Sequence, residues 1–146
     1  MIRDYCVSDF SAVVTIYNAS KLDELKFETK EFTLLPLEQD ENRRTALFAS
    51  MIFVYQEQST IKGYSAISDN TLQSLYVHPN SRGQGIGRLL LNHALAQLKG
   101  EVSLQVVESN MPSKQLYYSC GFVDAHSYDV DYNGVMVRVN KMLKHN

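Results

Sequence analysis

The sequence predicts one domain of the α/β (α+β) class, with a mixed, mostly antiparallel sheet of about seven strands and about four helices on its two faces. Three observations along residues 1–146 support this fold class. Short runs rich in β-branched and aromatic residues alternate with helical patterns. A glycine-rich turn joins one strand-like run to an amphipathic helix. Near the C-terminus, Asn133-Gly134 separates two more strand-like runs, as in a two-residue hairpin.

The first elements are a short strand and a helix. Residues Met1–Tyr5 are expected to form the strand. Ser8 or Asp9 can then cap a helix, because small polar side chains accept hydrogen bonds from the free N–H groups of a first turn. The apolar residues of this helix recur at helical spacing: Phe10, Val13, Val14 and Tyr17.

The next segment is harder to assign. Residues 21–36 mix charged and apolar side chains and follow neither a helical nor a strand period. Pro36 fits the start of a second helix that runs through Leu37, Thr45 and Phe48, since proline is tolerated in a first turn.

Three strands are predicted after this helix. Met51–Tyr55 and Ile61–Ile67 lie on either side of the polar turn Gln56–Thr60 and predict a hairpin. Asp69-Asn70 then turns the chain into a third strand, Thr71–Val77.

The second half of the chain alternates helices and strands. A helix follows the glycine-rich turn, with apolar residues at helical spacing: Ile86, Leu90, Leu91, Ala94, Leu95 and Leu98. Lys99-Gly100 stops this helix, and Glu101–Val107 is the next strand. A short helix is expected over Met111–Ser119, and Val123–Tyr132 and Val135–Leu143 form the final hairpin.

Composition excludes several function classes. The chain is 45% hydrophobic and 21% charged with a net charge of -2, which is ordinary for a globular domain and gives no basic surface for nucleic acid. No apolar run approaches the roughly 20 residues of a membrane helix, and the N-terminus lacks the apolar core of a signal peptide. Cys6 and Cys120 show no metal-type spacing. We therefore expect free thiols, a cytoplasmic location, and no nucleic-acid, membrane or metal partner.

The turn Val77–Arg88 has the clearest chemical meaning. Its glycines, Gly83, Gly85 and Gly87, allow backbone N–H groups to point outward. The helix that follows adds partial positive charge at its N-terminus, so the turn suits a phosphate or pyrophosphate. A dinucleotide-binding fingerprint would need a glycine where Arg88 stands, and a Walker loop would need Gly-Lys-Ser/Thr, which is absent.

Two motifs resemble those of one enzyme family. The run Val77–Gly87 has the pattern V-x-P-x-x-R-x-x-G-x-G, which resembles the coenzyme A pyrophosphate loop of the GNAT (Gcn5-related) N-acetyltransferases. Asn110 followed by Leu116–Phe122 is similar to the family's second motif, an asparagine and a helix that carries Leu-Tyr and ends in Gly-Phe. The resemblance covers Thr71–Phe122 by motif and the whole chain by element order, and it implies the GNAT acyl-CoA N-acyltransferase fold.

The resemblance implies acetyl-CoA (coenzyme A) as co-substrate, with no metal. In the family, the strand before the loop separates from its neighbour and pantetheine lies in the gap. The backbone of Leu75, Tyr76 and Val77 should therefore bond the pantetheine amides and polarise the thioester carbonyl. Asn110 should contact the cofactor near its acyl end. The residues expected around the pyrophosphate are Arg82, Gly83, Gln84, Gly85, Ile86, Gly87 and Arg88.

The implied reaction is acetyl transfer to a primary amine of a small molecule or peptide, by direct attack in a ternary complex. Tyr117 matches the family's Leu-Tyr position and is expected to protonate the departing thiolate. Gln105 stands where some members carry a glutamate that accepts the amine's proton, and a glutamine cannot do so. Glu108 is a nearby carboxylate, and deprotonation through ordered water or an amine that arrives partly neutral is the expectation.

The acceptor wall is expected from Lys21–Gln39 and the hairpin Tyr128–Asn133. Its acidic residues either attract a cationic amine or form a solvated face: Asp23, Glu24, Glu28, Asp129 and Asp131. Because of Gln105, the alternative function is a non-catalytic acyl-CoA-binding sensor or interaction module. A homodimer that pairs through the sheet edge or the C-terminal hairpin is a further expectation.

Overall fold

The computed structural model describes all 146 residues. Its strands are β1 (Ile2–Asp4), β2 (Met51–Glu57), β3 (Thr60–Ser68), β4 (Thr71–Val77), β5 (Glu101–Val107), β6 (Val123–Tyr132) and β7 (Val135–His145). Its α-helices are α1 (Phe10–Ser20), α2 (Glu41–Ala49), α3 (Ile86–Ala96) and α4 (Met111–Ser119), and short 3₁₀ turns cover Val7–Asp9, Lys21–Leu25, Leu37–Gln39 and Pro79–Ser81. The predicted element order and fold class are confirmed. No helix is both long and apolar enough to cross a bilayer.

One sheet contains every strand, in the order β1-β2-β3-β4-β5-β7-β6. Neighbouring strands are antiparallel except for β4 and β5, which run parallel. Because parallel strands need a long crossover, α3 lies between them in the chain.

The helices cover both faces of this sheet. Alternate strand residues point to opposite faces, so Phe53 of β2 packs in one core with Leu91 of α3, whereas Ile52 and Val54 pack in a second core with Val13 of α1. A third, smaller core lies between the Lys21–Leu25 turn and the β6–β7 hairpin.

The parallel strands stay together over a short stretch only. Pairing is restricted to residues 71–72 of β4 and 103–104 of β5. Beyond these residues, the edges of Gln73–Val77 and Gln105–Val107 are not paired with each other. The sheet therefore opens between its two central strands.

The prediction that Pro36 begins the second helix is wrong. A 3₁₀ turn follows Pro36, and α2 starts only at Glu41. Asp40 sets this start, because its carboxylate accepts a hydrogen bond from the Arg43 N–H at 3.3 Å and caps the first turn.

The predicted cap of α1 is also wrong. Neither Ser8 nor Asp9 makes a side-chain cap at this helix. Instead, the Asp9 carboxylate accepts two hydrogen bonds from the Arg3 guanidinium at 2.8 and 2.9 Å and one from the Cys6 N–H at 2.9 Å. These bonds hold the pKa of Asp9 well below its usual range. The predicted apolar residue Phe10 is 39% exposed and lies 5.2 Å from the Phe48 ring, outside the core.

Candidate active site

A cleft of about 260 Å³ occupies the opening between β4 and β5. The strand residues at its walls include Leu75 and Gln105, and α4 contributes Tyr117. A groove of about 360 Å³ continues from this cleft over the glycine loop, past Arg82 and Gly85. The cleft and groove together join the two predicted motifs.

Strand register decides which backbone groups of β4 face the opening. The His78 N–H donates to the Lys62 carbonyl of β3 at 2.8 Å, and antiparallel bonding alternates from residue to residue. By this alternation, Tyr76 directs its backbone groups to β3, whereas Leu75 and Val77 direct theirs toward β5. Tyr76 reaches the cleft with its side chain.

The glycine loop has the geometry that an anion requires. Gly83 and Gly85 both have φ of +79°, and a Cβ on either would meet no atom within 4 Å. Gly85 is the N-cap of α3, so the loop's outward amides lie at a helix N-terminus. The Ile86 side chain is buried beneath the loop, and the exposed Gln84 lies between the two glycines. These features fit a diphosphate above the loop.

The two arginines of the loop differ in their contacts. Arg82 forms an ion pair with Asp23 at 2.6 Å, and its Nε donates to the Val77 carbonyl at 3.1 Å. Arg88 is exposed, and its guanidinium lies 3.8 Å from the Cys120 sulfur. Arg82 therefore ties the loop to the Lys21–Leu25 turn, and Arg88 lies on the first turn of α3.

Tyr117 and Asn110 both line the cleft. Tyr117 is buried against Phe122, with ring centroids 5.9 Å apart, and burial raises the pKa of its hydroxyl. The Asn110 amide donates to the Ser113 hydroxyl at 3.0 Å and does not cap α4. The neighbouring Tyr118 points elsewhere, since its hydroxyl donates to Asp124 at 2.7 Å.

Neither Gln105 of β5 nor Glu108, which follows this strand, supplies the base. The side-chain oxygen Oε1 of Gln105 accepts a hydrogen bond from the Tyr128 hydroxyl at 2.8 Å. Glu108 lies 3.7 Å from Arg138 in an exposed ion pair and does not line the cleft.

Two carboxylates line the cleft, Asp23 and Glu24, and Asp23 is paired with Arg82. Glu24 is therefore the carboxylate left for the reaction. It lines both the cleft and a second space of about 360 Å³ on the other side of the β4–β5 opening. Its Oε1 accepts hydrogen bonds from the Tyr76 hydroxyl at 3.1 Å and from the Lys21 ammonium. Its Oε2 has no hydrogen-bond partner in the protein. The sequence marked Glu24 only as one of several acidic wall residues, because nothing in its spacing places residues 21–25 opposite β5.

The second space is the inner part of what we call the acceptor chamber. Its outer part, about 540 Å³, shares Gln73, Arg43, Asp131 and Tyr132 with the inner part. Residues from the predicted wall segments line the chamber, with α2 contributing as well.

The other predicted acidic residues are bonded within the protein. Asp23 pairs with Arg82, Glu28 accepts from the Ser109 hydroxyl, Asp129 lies 3.5 Å from Arg138, and Asp131 accepts from the Gly134 N–H at 3.2 Å.

Comparisons with known proteins agree with this geometry. The family model described as the acetyltransferase (GNAT) family matches residues 13–122. The L-amino acid N-acyltransferase MnaT of Escherichia coli K12 is 27% identical over 135 residues, which cover 80% of this chain and 75% of that protein. The peptidyl-lysine N-acetyltransferase YjaB of Salmonella typhimurium is 31% identical over 75 residues, so this chain spans about half of its length (51%).

Among solved structures, yncA of Salmonella typhimurium, determined with its cofactor acetyl-CoA, superimposes with a TM-score of 0.76 at 22% identity. The match covers 99% of this chain and 92% of that one. This likeness supports the fold, and the family model covers most of the residues that build the cleft. The chain belongs to the GNAT acetyltransferase family.

Proposed function

We propose that this protein is an N-acetyltransferase that moves the acetyl group of acetyl-CoA to a primary amine of a small molecule or peptide while both substrates are bound. The observation that supports this proposal most strongly is the opening between β4 and β5, which has an anion-binding loop at one end and Tyr117 and Glu24 at the other. Membership of the GNAT family supports this proposal, as do the acetyltransferase and acyltransferase names of YjaB and MnaT.

Acetyl-CoA supplies the thioester whose carbonyl the amine attacks. Backbone groups of Leu75 and the N–H of Val77 face the opening and bond the pantetheine arm, since the Val77 carbonyl already accepts from Arg82. An N–H aimed at the developing oxyanion lowers the barrier by about 2.7–4 kcal/mol. The outward amides of residues 83–87 bind the diphosphate, with Arg82 and Arg88 adding charge. The Asn110 amide, which lines the cleft, would contact the cofactor near its acyl end.

Glu24 accepts the proton of the incoming ammonium. Lys21 and Tyr76 hold its Oε1 and so fix the carboxylate, while Oε2 is free for the substrate. Because Glu24 borders both spaces, the amine loses its proton where it enters the cleft. This assignment replaces the base that Gln105 cannot provide.

Tyr117 donates a proton to the departing thiolate. Its hydroxyl makes no hydrogen bond within the protein, and burial raises its pKa, so it stays protonated at neutral pH. A group that keeps its proton until sulfur needs it can act as the general acid.

The test compares Tyr117→Phe with the matched control Tyr118→Phe. We expect Tyr117→Phe to lower kcat for thiol release about 100-fold while calorimetry finds the wild-type affinity for coenzyme A. Tyr118→Phe should leave both unchanged, since its hydroxyl bonds Asp124 outside the cleft. Full activity in Tyr117→Phe would show that this assignment is wrong.

Because Gln105 cannot accept a proton, it favours a second candidate function, that of a non-catalytic acyl-CoA-binding module. That function predicts a thermal shift with acetyl-CoA but no thiol release with any amine class. Turnover with one amine decides against it.

A cytoplasmic location and a homodimer stay predictions of this proposal. The outer edge of β6 is free to pair with a second copy. Sedimentation of the purified protein over a concentration series checks the dimer.

A further inference from the structure

The acceptor chamber contains equal numbers of cationic and anionic side chains. The cations are Lys21, Arg43 and Lys141, and the carboxylates are Glu24, Asp40 and Asp131. Lys21 pairs with Glu24, and the Arg43 Nε lies 3.3 Å from Asp40. A polycation would find too little negative charge in such a chamber. A molecule with one positive and one negative group matches it.

Two donors of the chamber lack partners. Arg43 donates to Asp40 from its Nε and from its backbone N–H. The two Nη groups of the Arg43 guanidinium make no hydrogen bond. The Tyr17 side chain is 2% exposed and lines the outer part, yet its hydroxyl has no partner. Buried hydroxyls are normally satisfied, so an unpartnered one at a cavity wall indicates a missing ligand atom.

The Arg43 guanidinium lies near enough to the Tyr17 hydroxyl to influence its pKa. Burial raises the pKa of Tyr17, and the positive charge of Arg43 is the main influence that opposes this rise. The Tyr132 ring lies close to both cations, with its centroid 4.9 Å from the Lys21 ammonium and 5.9 Å from the Arg43 guanidinium carbon. Lys21 and Glu24 line the inner part of the chamber, Tyr17 lines the outer part, and Arg43 lines both parts.

We propose that the acceptor is a small primary amine that also carries a carboxylate, with its ammonium at Glu24 and its carboxylate bound by Arg43 and the Tyr17 hydroxyl. This inference rests on the proposed acetyltransferase function and selects among its acceptors. YjaB and MnaT are named for a peptidyl lysine and for L-amino acids, so relationship alone does not choose. A lysine within a peptide brings no carboxylate, and would leave both donors without a partner.

The test removes the carboxylate charge while keeping the amine. Thiol release from acetyl-CoA is measured with the L-amino acids that carry a primary amine, β-alanine and γ-aminobutyrate, each beside its carboxamide. Spermidine and an end-blocked peptide with one lysine complete the panel. We expect kcat/KM for the best free carboxylate to exceed that of its amide at least about tenfold, with spermidine and the peptide below both.

Variants locate the effect. Arg43→Gln and Tyr17→Phe should each reduce the carboxylate-to-amide ratio through KM, with little change for the amide. Arg44→Gln and Tyr64→Phe are the matched controls: Arg44 lies outside the chamber, and Tyr64 has a buried, unpartnered hydroxyl that does not line it. Calorimetry of the preferred amino acid with the protein–coenzyme A complex should show the same losses without turnover.

The outcomes separate the two proposals. If amides, spermidine or the peptide react as fast as the free carboxylates, or if Arg43→Gln and Tyr17→Phe keep the ratio, the acceptor inference is wrong while the acetyltransferase function stands. If acetyl-CoA does not bind and no amine releases thiol, both proposals fail.

Discussion

The cofactor groove and the acceptor chamber are built in different ways. The groove follows the β4 edge and the glycine loop before α3, where backbone N–H groups are expected to hold the cofactor. Residues of β4 and β5 line the chamber as well, but its charged side chains come from the Lys21–Leu25 turn, from the start of α2 and from the β6–β7 hairpin. A backbone site needs only the right turn, and this suits a ligand shared by many enzymes. A side-chain site can change its charges without changing the fold.

The largest effect is expected from replacing Glu24, the reactive group that the chamber contributes. Glu24→Gln keeps the side-chain volume and removes the proton acceptor, so kcat should fall about 10²- to 10⁴-fold with unchanged coenzyme A affinity. Glu108→Gln is the matched control, because Glu108 is an exposed carboxylate on the chain after β5 that pairs with Arg138. Steady-state rates at saturating amine provide the measurement. A wild-type rate in Glu24→Gln would remove Glu24 from the reaction.

A smaller effect is expected at the groove. Gly85→Ala places a methyl group in the open space above the loop and disfavours the φ of +79°, so its amide no longer points at the diphosphate. We expect a roughly tenfold weaker coenzyme A affinity together with about 1–2 kcal/mol of lost stability. The measurements are calorimetry and thermal unfolding.

Gly100→Ala provides the control for this change. Gly100 has a φ of +72° and equally open surroundings, but it lies in the turn between α3 and β5. It should lose similar stability and no affinity. Equal affinity losses in both variants would mean that strain, and not the loop, explains the result.

The groove was predictable because its signals are local. β4, β5 and α4 have the bounds that the sequence predicts, since Pro79, Gly100 and Gly121 end or begin neighbouring elements within a few residues of each boundary. The positive φ of Gly83 and Gly85 follows from the same short motif.

The chamber was not predictable at the same level. Glu24 reaches the cleft because Tyr76, far along the chain, donates to its carboxylate, and no local pattern encodes that contact. The wall segments were predicted, but the pairing of Lys21 with Glu24 and the free donors of Arg43 depend on how α2 and the hairpin pack. Side-chain sites assembled from distant segments require the tertiary structure.

The smallest effect tests the link between the two regions. Asp23 and Arg82 join the Lys21–Leu25 turn to the glycine loop, and both side chains are about two-fifths exposed. Such a pair contributes about 0.2–1 kcal/mol, so Asp23→Asn should raise the KM for the amine by about two- to fivefold. Coenzyme A affinity should change less than KM.

Salt and a matched variant identify the cause. Because the pair is exposed, the difference between Asp23→Asn and wild type should shrink at high ionic strength. Asp129→Asn is the control, as it breaks another exposed pair, with Arg138, outside the chamber. If Asp23→Asn instead weakens coenzyme A binding more than amine binding, Arg82 depends on Asp23 for its place at the diphosphate, and the two regions are less separate than their construction suggests.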